Sequence, residues 1–202
     1  MKALRVAYVP HFDVNKPECW DTIPQNKIAC ANWTDFPYQP EVSFKIVHDG
    51  KTIYIHYAVI EKFPVRMVHT QDQDPVYQDS CVEFFILDDE GLYHNFECNA
   101  KGAILSATGK NRTNRKQRSY KELQDIKRQT SGVEKIGDNY HWSLSIGIPF
   151  VSVGVVRGNS YRANFYKCGD LTESKHYLSW HPIHTQKPDF HCPEHFGSIE
   201  IE

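Results

Sequence analysis

Two glutamates give the first chemical signal. Glu83 sits in Cys81-Val82-Glu83-Phe84-Phe85-Ile86-Leu87 and Glu97 in Tyr93-His94-Asn95-Phe96-Glu97-Cys98-Asn99. In extended chain alternate residues share a face, so Val82, Phe84 and Ile86 point one way and Cys81, Glu83 and Phe85 the other. By the same parity Phe96, Cys98 and Ala100 are apolar, leaving Asn95, Glu97 and Asn99 opposite. A hairpin closing about Glu90 places Glu83 across from Glu97, and two facing carboxylates repel unless a cation or a donor separates them. A carboxylate pair can hydrolyse glycosides, but a hydrolase surrounds its pair with a deep cleft, and the loops here are short.

Two more strand-like segments extend the polar face. Tyr161, Ala163 and Phe165 are the apolar parity of one, leaving Arg162 and Asn164; Trp142, Leu144, Ile146 and Ile148 are that of the other, leaving Ser143, Ser145 and Gly147. The expectation is one sheet face floored by Ser and Gly and ringed by Glu83, Glu97, Asn99, Arg162 and Asn164. Planar polar side chains suit sugar hydroxyls, which both donate and accept. The bland alternative is a solvated outer face.

A metal-dependent enzyme is the competing reading, on His176, His181, His184, His191 and His195. Zinc needs three or four ligands converging at ~2 Å. The Pro in His181-Pro182-Ile183-His184 rules out a helical i, i+3 pair, and no H-E-x-x-H occurs. Six cysteines are widely spaced without a C-x-x-C pair, which reads as buried thiols.

The elements holding these residues are strands. Val42, Phe44 and Ile46 alternate with polar residues, Asp49-Gly50 turns the chain, and Ile53, Ile55, Tyr57 and Val59 alternate again. Further strands read at 81–87, 93–100, 103–107, 140–148, 161–168, 176–180 and 196–201, and only Tyr120–Gln129 looks helical. Many strands without intervening helices predict an all-β, antiparallel, jelly-roll-like β-sandwich with one short helix in a basic loop. No linker interrupts residues 1–202, so one domain is expected. Hydrophobic residues make up 40% and aromatics 13%, enough for a substantial core. The net charge of −2 gives no general attraction to nucleic acid or anionic membrane, and neither is expected as a partner. Eight Lys or Arg between Lys110 and Arg128 face only Glu122 and Asp125, which reads as a solvated basic loop. No apolar run reaches the ~20 residues of a membrane span, and Met1–Pro10 lacks a signal-peptide pattern. The chain as given is expected in the cytoplasm, with export left to a form trimmed at the N-terminus.

Two segments resemble the family 9 carbohydrate-binding modules. Pro75-Val76-Tyr77-Gln78-Asp79-Ser80-Cys81-Val82-Glu83-Phe84-Phe85-Ile86 is similar to that family's Q-D-S-V-E-[IV]-F-[IV] strand with one residue inserted at Cys81. Phe190-His191-Cys192-Pro193-Glu194-His195-Phe196-Gly197 is similar to its aromatic-x-x-P-x-x-F-G close. Leu178-Ser179-Trp180 matches an S-W strand end, and Arg162–Asp170 looks like the stand-alone, family-9-like proteins of bacteria. The resemblance runs from about Val42 to Ile201. It implies a non-catalytic sandwich, often steadied by calcium, that clamps a mono- or oligosaccharide between two aromatic rings. The implied ring before Q-D-S falls at Tyr77 or one place earlier, the carboxylate at Glu83 and the second ring at Phe190, beside His191. Where well-known members carry Trp at the clamp, this chain has Tyr77 and Phe190; Trp180 is the candidate substitute, against the alternative that a Trp at a strand end belongs to the core. Glu97 stands where an arginine is expected. Asp88 and Asp89, in an acidic turn, are the candidates for calcium.

Overall fold

The computed structural model describes residues 3–202; Met1 and Lys2, the first positions of the segment read for a leader, lie outside it. Thirteen strands and one helix follow in order: β1 (Leu4–Tyr8), β2 (Asn26–Lys27), β3 (Glu41–His48), β4 (Thr52–Glu61), β5 (Cys81–Leu87), β6 (Tyr93–Asn99), β7 (Ile104–Asn111), β8 (Asn114–Gln117), α1 (Tyr120–Gln124), β9 (Lys127–Ile136), β10 (Asn139–Pro149), β11 (Ser160–Gly169), β12 (His176–Ser179) and β13 (Gly197–Ile201).

They form the two layers of a β-sandwich. One layer runs β8-β7-β6-β5-β11-β13, with β12 on the far half of β11; the other runs β3-β4-β10-β9, with β2 on β3. Strand β1 joins them, pairing in parallel with β13 through Leu4–Val6 and with β3 through Ala7–Tyr8, while the other pairings are antiparallel. The main core fills the space between the layers. Val82, Phe84 and Ile86 meet Phe44, Ile55, Tyr57, Phe165 and Leu144 there, as their alternation requires. Phe44 stacks on Phe165 with centroids 3.8 Å apart. At the predicted turn Gly50 takes φ 88°, a left-handed conformation that favours glycine, and Asp49 Oδ1 accepts from the backbone N–H groups of Lys51 and Thr52.

Two expectations change. The helix spans only Tyr120–Gln124, with a Ser119–Glu122 capping box, because Lys127 onwards pairs with β10 as the edge strand β9. Ser143, Ser145 and Gly147 belong to β10, in the opposite layer from Glu83, so they do not floor a common face with it. Ser145 Oγ is 2.9 Å from His56 Nδ1, and the Tyr54 ring packs over Gly147, so no hollow remains there.

The outer face of the first layer is covered too. A second apolar cluster joins Phe85, Tyr93 and Tyr166 to Trp33, Val76, Ile183, Phe190 and Phe196, which come from the connections between strands. Those connections carry the walls of a cleft.

Candidate functional site

A cavity of about 660 Å³ opens on this covered face. Its floor is Glu83 of β5, Glu97 of β6 and Cys168 of β11; Leu105 and Ala107 of β7 continue it. One wall is the β7–β8 hairpin, through Arg112, Thr113, Arg115 and Gln117. The opposite wall is Tyr77, Asp170, Tyr177 and the segment Pro188–His191. Tyr77 lies in a 3-10 turn just before β5, tied to the end of β11 where the Asp170 N–H donates to the Tyr77 carbonyl at 3.1 Å.

The two rings differ in burial. Tyr77 is 37% exposed, whereas Phe190 is 8% exposed and stacks on Tyr166 at 4.2 Å and 8°. Tyr166 also donates its hydroxyl to the Phe190 carbonyl at 3.1 Å. Phe190 therefore belongs to the second core while lining the cleft. Tyr177 stands edge-on to it at 6.0 Å. His191 packs 3.2 Å from the Tyr93 hydroxyl, and burial, helped by Arg115 and Arg112, lowers its pKa to about 3, so its ring is neutral.

Register places Glu83 directly across from Glu97. Each is only 3% exposed, and burial raises both pKa values: Glu83 well above the carboxylate range, Glu97 to about 7 despite the pull of Arg115, Arg112 and Asn95. A proton thus relieves the repulsion. Asn95 Nδ2 donates to Glu97 Oε1 at 3.0 Å, and Arg115 Nη1 donates to Asn95 Oδ1 at 3.2 Å while lying 4.0 Å from Glu97 Oε1.

The sequence profile of carbohydrate-binding family 9 matches residues 17–201. The chain belongs to carbohydrate-binding family 9. A Bacteroides uniformis protein provisionally described as carbohydrate-binding is 37% identical, with TM-score 0.90 over 100% of this chain and 99% of that one. Family 9 modules of Caldicellulosiruptor kristjanssonii share the fold at 16% identity: one in complex with glucose has TM-score 0.67 over 100% and 96% of the chains, and one in complex with cellotriose 0.63 over 100% and 94%. No curated protein matches.

Family 9 is non-catalytic, and the chain is a binding module rather than an enzyme. Of the residues expected at the site, Tyr77, Glu83, Glu97, Phe190 and His191 line the cleft, and the structure puts the others elsewhere. Asn99 donates to the His69 carbonyl and to Asp79 Oδ2 and accepts from the N–H groups of Lys101 and Ala103, which closes a turn. Arg162 donates to the carbonyls of Phe196 and Glu194, and Asn164 exchanges hydrogen bonds with His181. Both share the outer face by parity but lie farther along β11, under the chain that leads into β13. Trp180 is partly buried and packs edge-on against Phe165 and Phe44 at the margin of the main core.

Asp88, one of the two residues expected to hold calcium, is engaged by its own turn. Its Oδ1 accepts from the N–H groups of Glu90 and Leu92 and its Oδ2 lies 3.0 Å from His94 Nε2, so both oxygens take part in hydrogen bonds of the turn. Among the described residues the histidines form no metal-ligating group: His176 meets Lys167, His191 meets Tyr93, and although the His184 and His195 rings lie 5.7 Å apart, His181 Nδ1 is engaged by the His195 carbonyl. Strand parity missed Arg112 and Arg115, whose signal was the basic segment, and Asp170, Tyr177 and Asp189, which lie at strand ends and in a loop.

Proposed function

We propose that the cleft binds a neutral mono- or short oligosaccharide, with the apolar C–H face of one sugar against Tyr77 and Phe190 and its hydroxyls turned to Glu97, Asp170, Arg112 and Arg115. The observation that carries this reading is the gathering of those rings and polar groups around a single cleft of about 660 Å³. That volume lies within the range of small-molecule sites, roughly 300–1,000 Å³. Aromatic faces take up the C–H side of a pyranose, while planar amide, carboxylate and guanidinium groups match the hydroxyl rim. The glucose and cellotriose complexes of the Caldicellulosiruptor modules support this ligand class. A shallow stacking site predicts Kd values of ~μM to mM. A glycan array followed by calorimetry on glucose and β-linked gluco-oligosaccharides tests it, and a panel blank for every sugar sinks it.

A further inference from the structure

The floor of the cleft holds a donor set beyond the sugar contacts proposed above. Register sets Cys81 of β5 directly across from Cys168 of β11, and alternation puts Glu83 on the same face as Cys81. Cys168 Sγ is 3.0 Å from Glu83 Oε1, and one ligand atom from each of Cys81, Glu83 and Cys168 lies within 4.8 Å of the other two. All three side chains are buried. A carboxyl group desolvated beside a thiol, which is a weak donor, is poorly compensated, whereas two sulfurs and one oxygen are good ligands for a thiophilic metal ion. Four ligands at ~2.3 Å around zinc stand ~3.8 Å apart, so these atoms are near coordination spacing already.

We propose that Cys81, Glu83 and Cys168 bind a thiophilic divalent cation of the zinc class at the floor of the cleft. Glu83 and Cys168 line the cavity, so the ion and a fourth ligand, water or a sugar hydroxyl, enter from that side. Binding forms two metal–sulfur bonds and one metal–oxygen bond, and releases to solvent the two thiol protons and the Glu83 proton, with no change of oxidation state. Because binding displaces the ligands' protons, affinity is expected to fall as pH is lowered.

The test uses the full chain, reduced and stripped with a chelator, in the absence of sugar. One equivalent of Co²⁺ is expected to bind with a thiolate-to-cobalt charge-transfer band in the near ultraviolet, and one equivalent of Zn²⁺ to bleach it. Calorimetry in two buffers of different protonation enthalpy is expected to show proton release, with Zn²⁺ affinity reduced ~tenfold or more in Glu83→Gln and the band lost in Cys168→Ser. Absence of stoichiometric binding by the folded unmutated chain, cobalt bound without a thiolate band, or a Cys81–Cys168 disulfide in protein isolated without reductant overturns the proposal. The unmutated spectrum decides thiolate ligation even where Cys168→Ser fails to fold. Sugar calorimetry on the stripped chain tests the carbohydrate reading separately.

Discussion

The carboxylates on the cleft floor make folding sensitive to pH in a definite direction. Glu97 keeps its proton to about pH 7 in the folded chain, against ~4.3 when unfolded, so its contribution to stability is fully present below ~4.3 and is lost as pH rises through about 7. Glu83 acts with the same sign. His191 acts oppositely: with its pKa lowered to about 3, its contribution is present above ~6.5 and lost as pH falls towards 3. Glu97→Gln, which mimics the protonated form, is therefore expected to melt higher than the parent at pH 8, the gap narrowing down to pH 5. A gap that does not change across melts at those pH values refutes this. The two rings are expected to separate as well. Tyr77→Ala removes a half-exposed ring and should weaken sugar binding by ~1–1.5 kcal/mol, roughly five- to tenfold, with little loss of stability. Equal behaviour of both rings follows from the sequence pattern, but Phe190 is stacked on Tyr166 inside the second core, so Phe190→Ala should also cost ~3–5 kcal/mol of folding. Paired melts and titrations distinguish the two.

At the level of elements, the β7–β8 hairpin gives the cleft its charged wall. The end of β7 and the four-residue β8 are polar, so alternation leaves little trace in them, yet pairing Gly109 with Arg115 brings both Arg112 and Arg115 to the cavity. Arg112 Nη1 lies 3.8 Å from Asp189 Oδ1 across the cleft, which links the hairpin to the segment bearing Phe190. Arg115 is the strongest influence holding Glu97 down against burial. Arg115→Ala should therefore move the Glu97 titration above its present value of about 7 and weaken sugar binding. Carboxyl chemical shifts followed against pH measure the first effect, and an unmoved Glu97 titration refutes it. By contrast, the hairpins β3–β4 and β5–β6 are plain in the sequence, since both strands of each alternate in type and are joined by turn residues.

Over the whole molecule, a buried ionic cluster ties the two layers together. Lys167 of β11 is fully buried, with Nζ 3.5 Å from Glu61 Oε1 of β4, 2.7 Å from His176 Nε2 and 2.9 Å from the Cys168 carbonyl. Burial acts to raise the Glu61 pKa, but Lys167, Ser80 and Trp142 outweigh it and hold the carboxyl ionised. Removing one member leaves an uncompensated buried charge, so Lys167→Met should cost ~3–5 kcal/mol, and Lys167→Met combined with Glu61→Gln should recover much of that loss. Denaturant melts of the single and double variants check it, and an additive double variant refutes it. Phe84→Ala, between the layers, is expected to cost a similar ~3–5 kcal/mol through the cavity it leaves.

The sequence by itself determined the strands with clear two-residue alternation, the Glu83–Glu97 pairing and the family's Q-D-S and P-x-x-F-G segments, because each depends on local spacing. It could not decide which layer a strand joins. Ser145 and Asn164 both carry outward polar parity, yet β10 and β11 lie in opposite layers, and only long-range pairing settles that. Nor could it show that connections cover the outer face of the first layer, turning a sheet face into a cleft with a desolvated floor. The tertiary structure alone brought Arg115, Asp170 and Tyr177 to that cleft and set Cys81 beside Cys168, because contact between residues distant in sequence depends on register and layer order, which spacing along the chain does not encode.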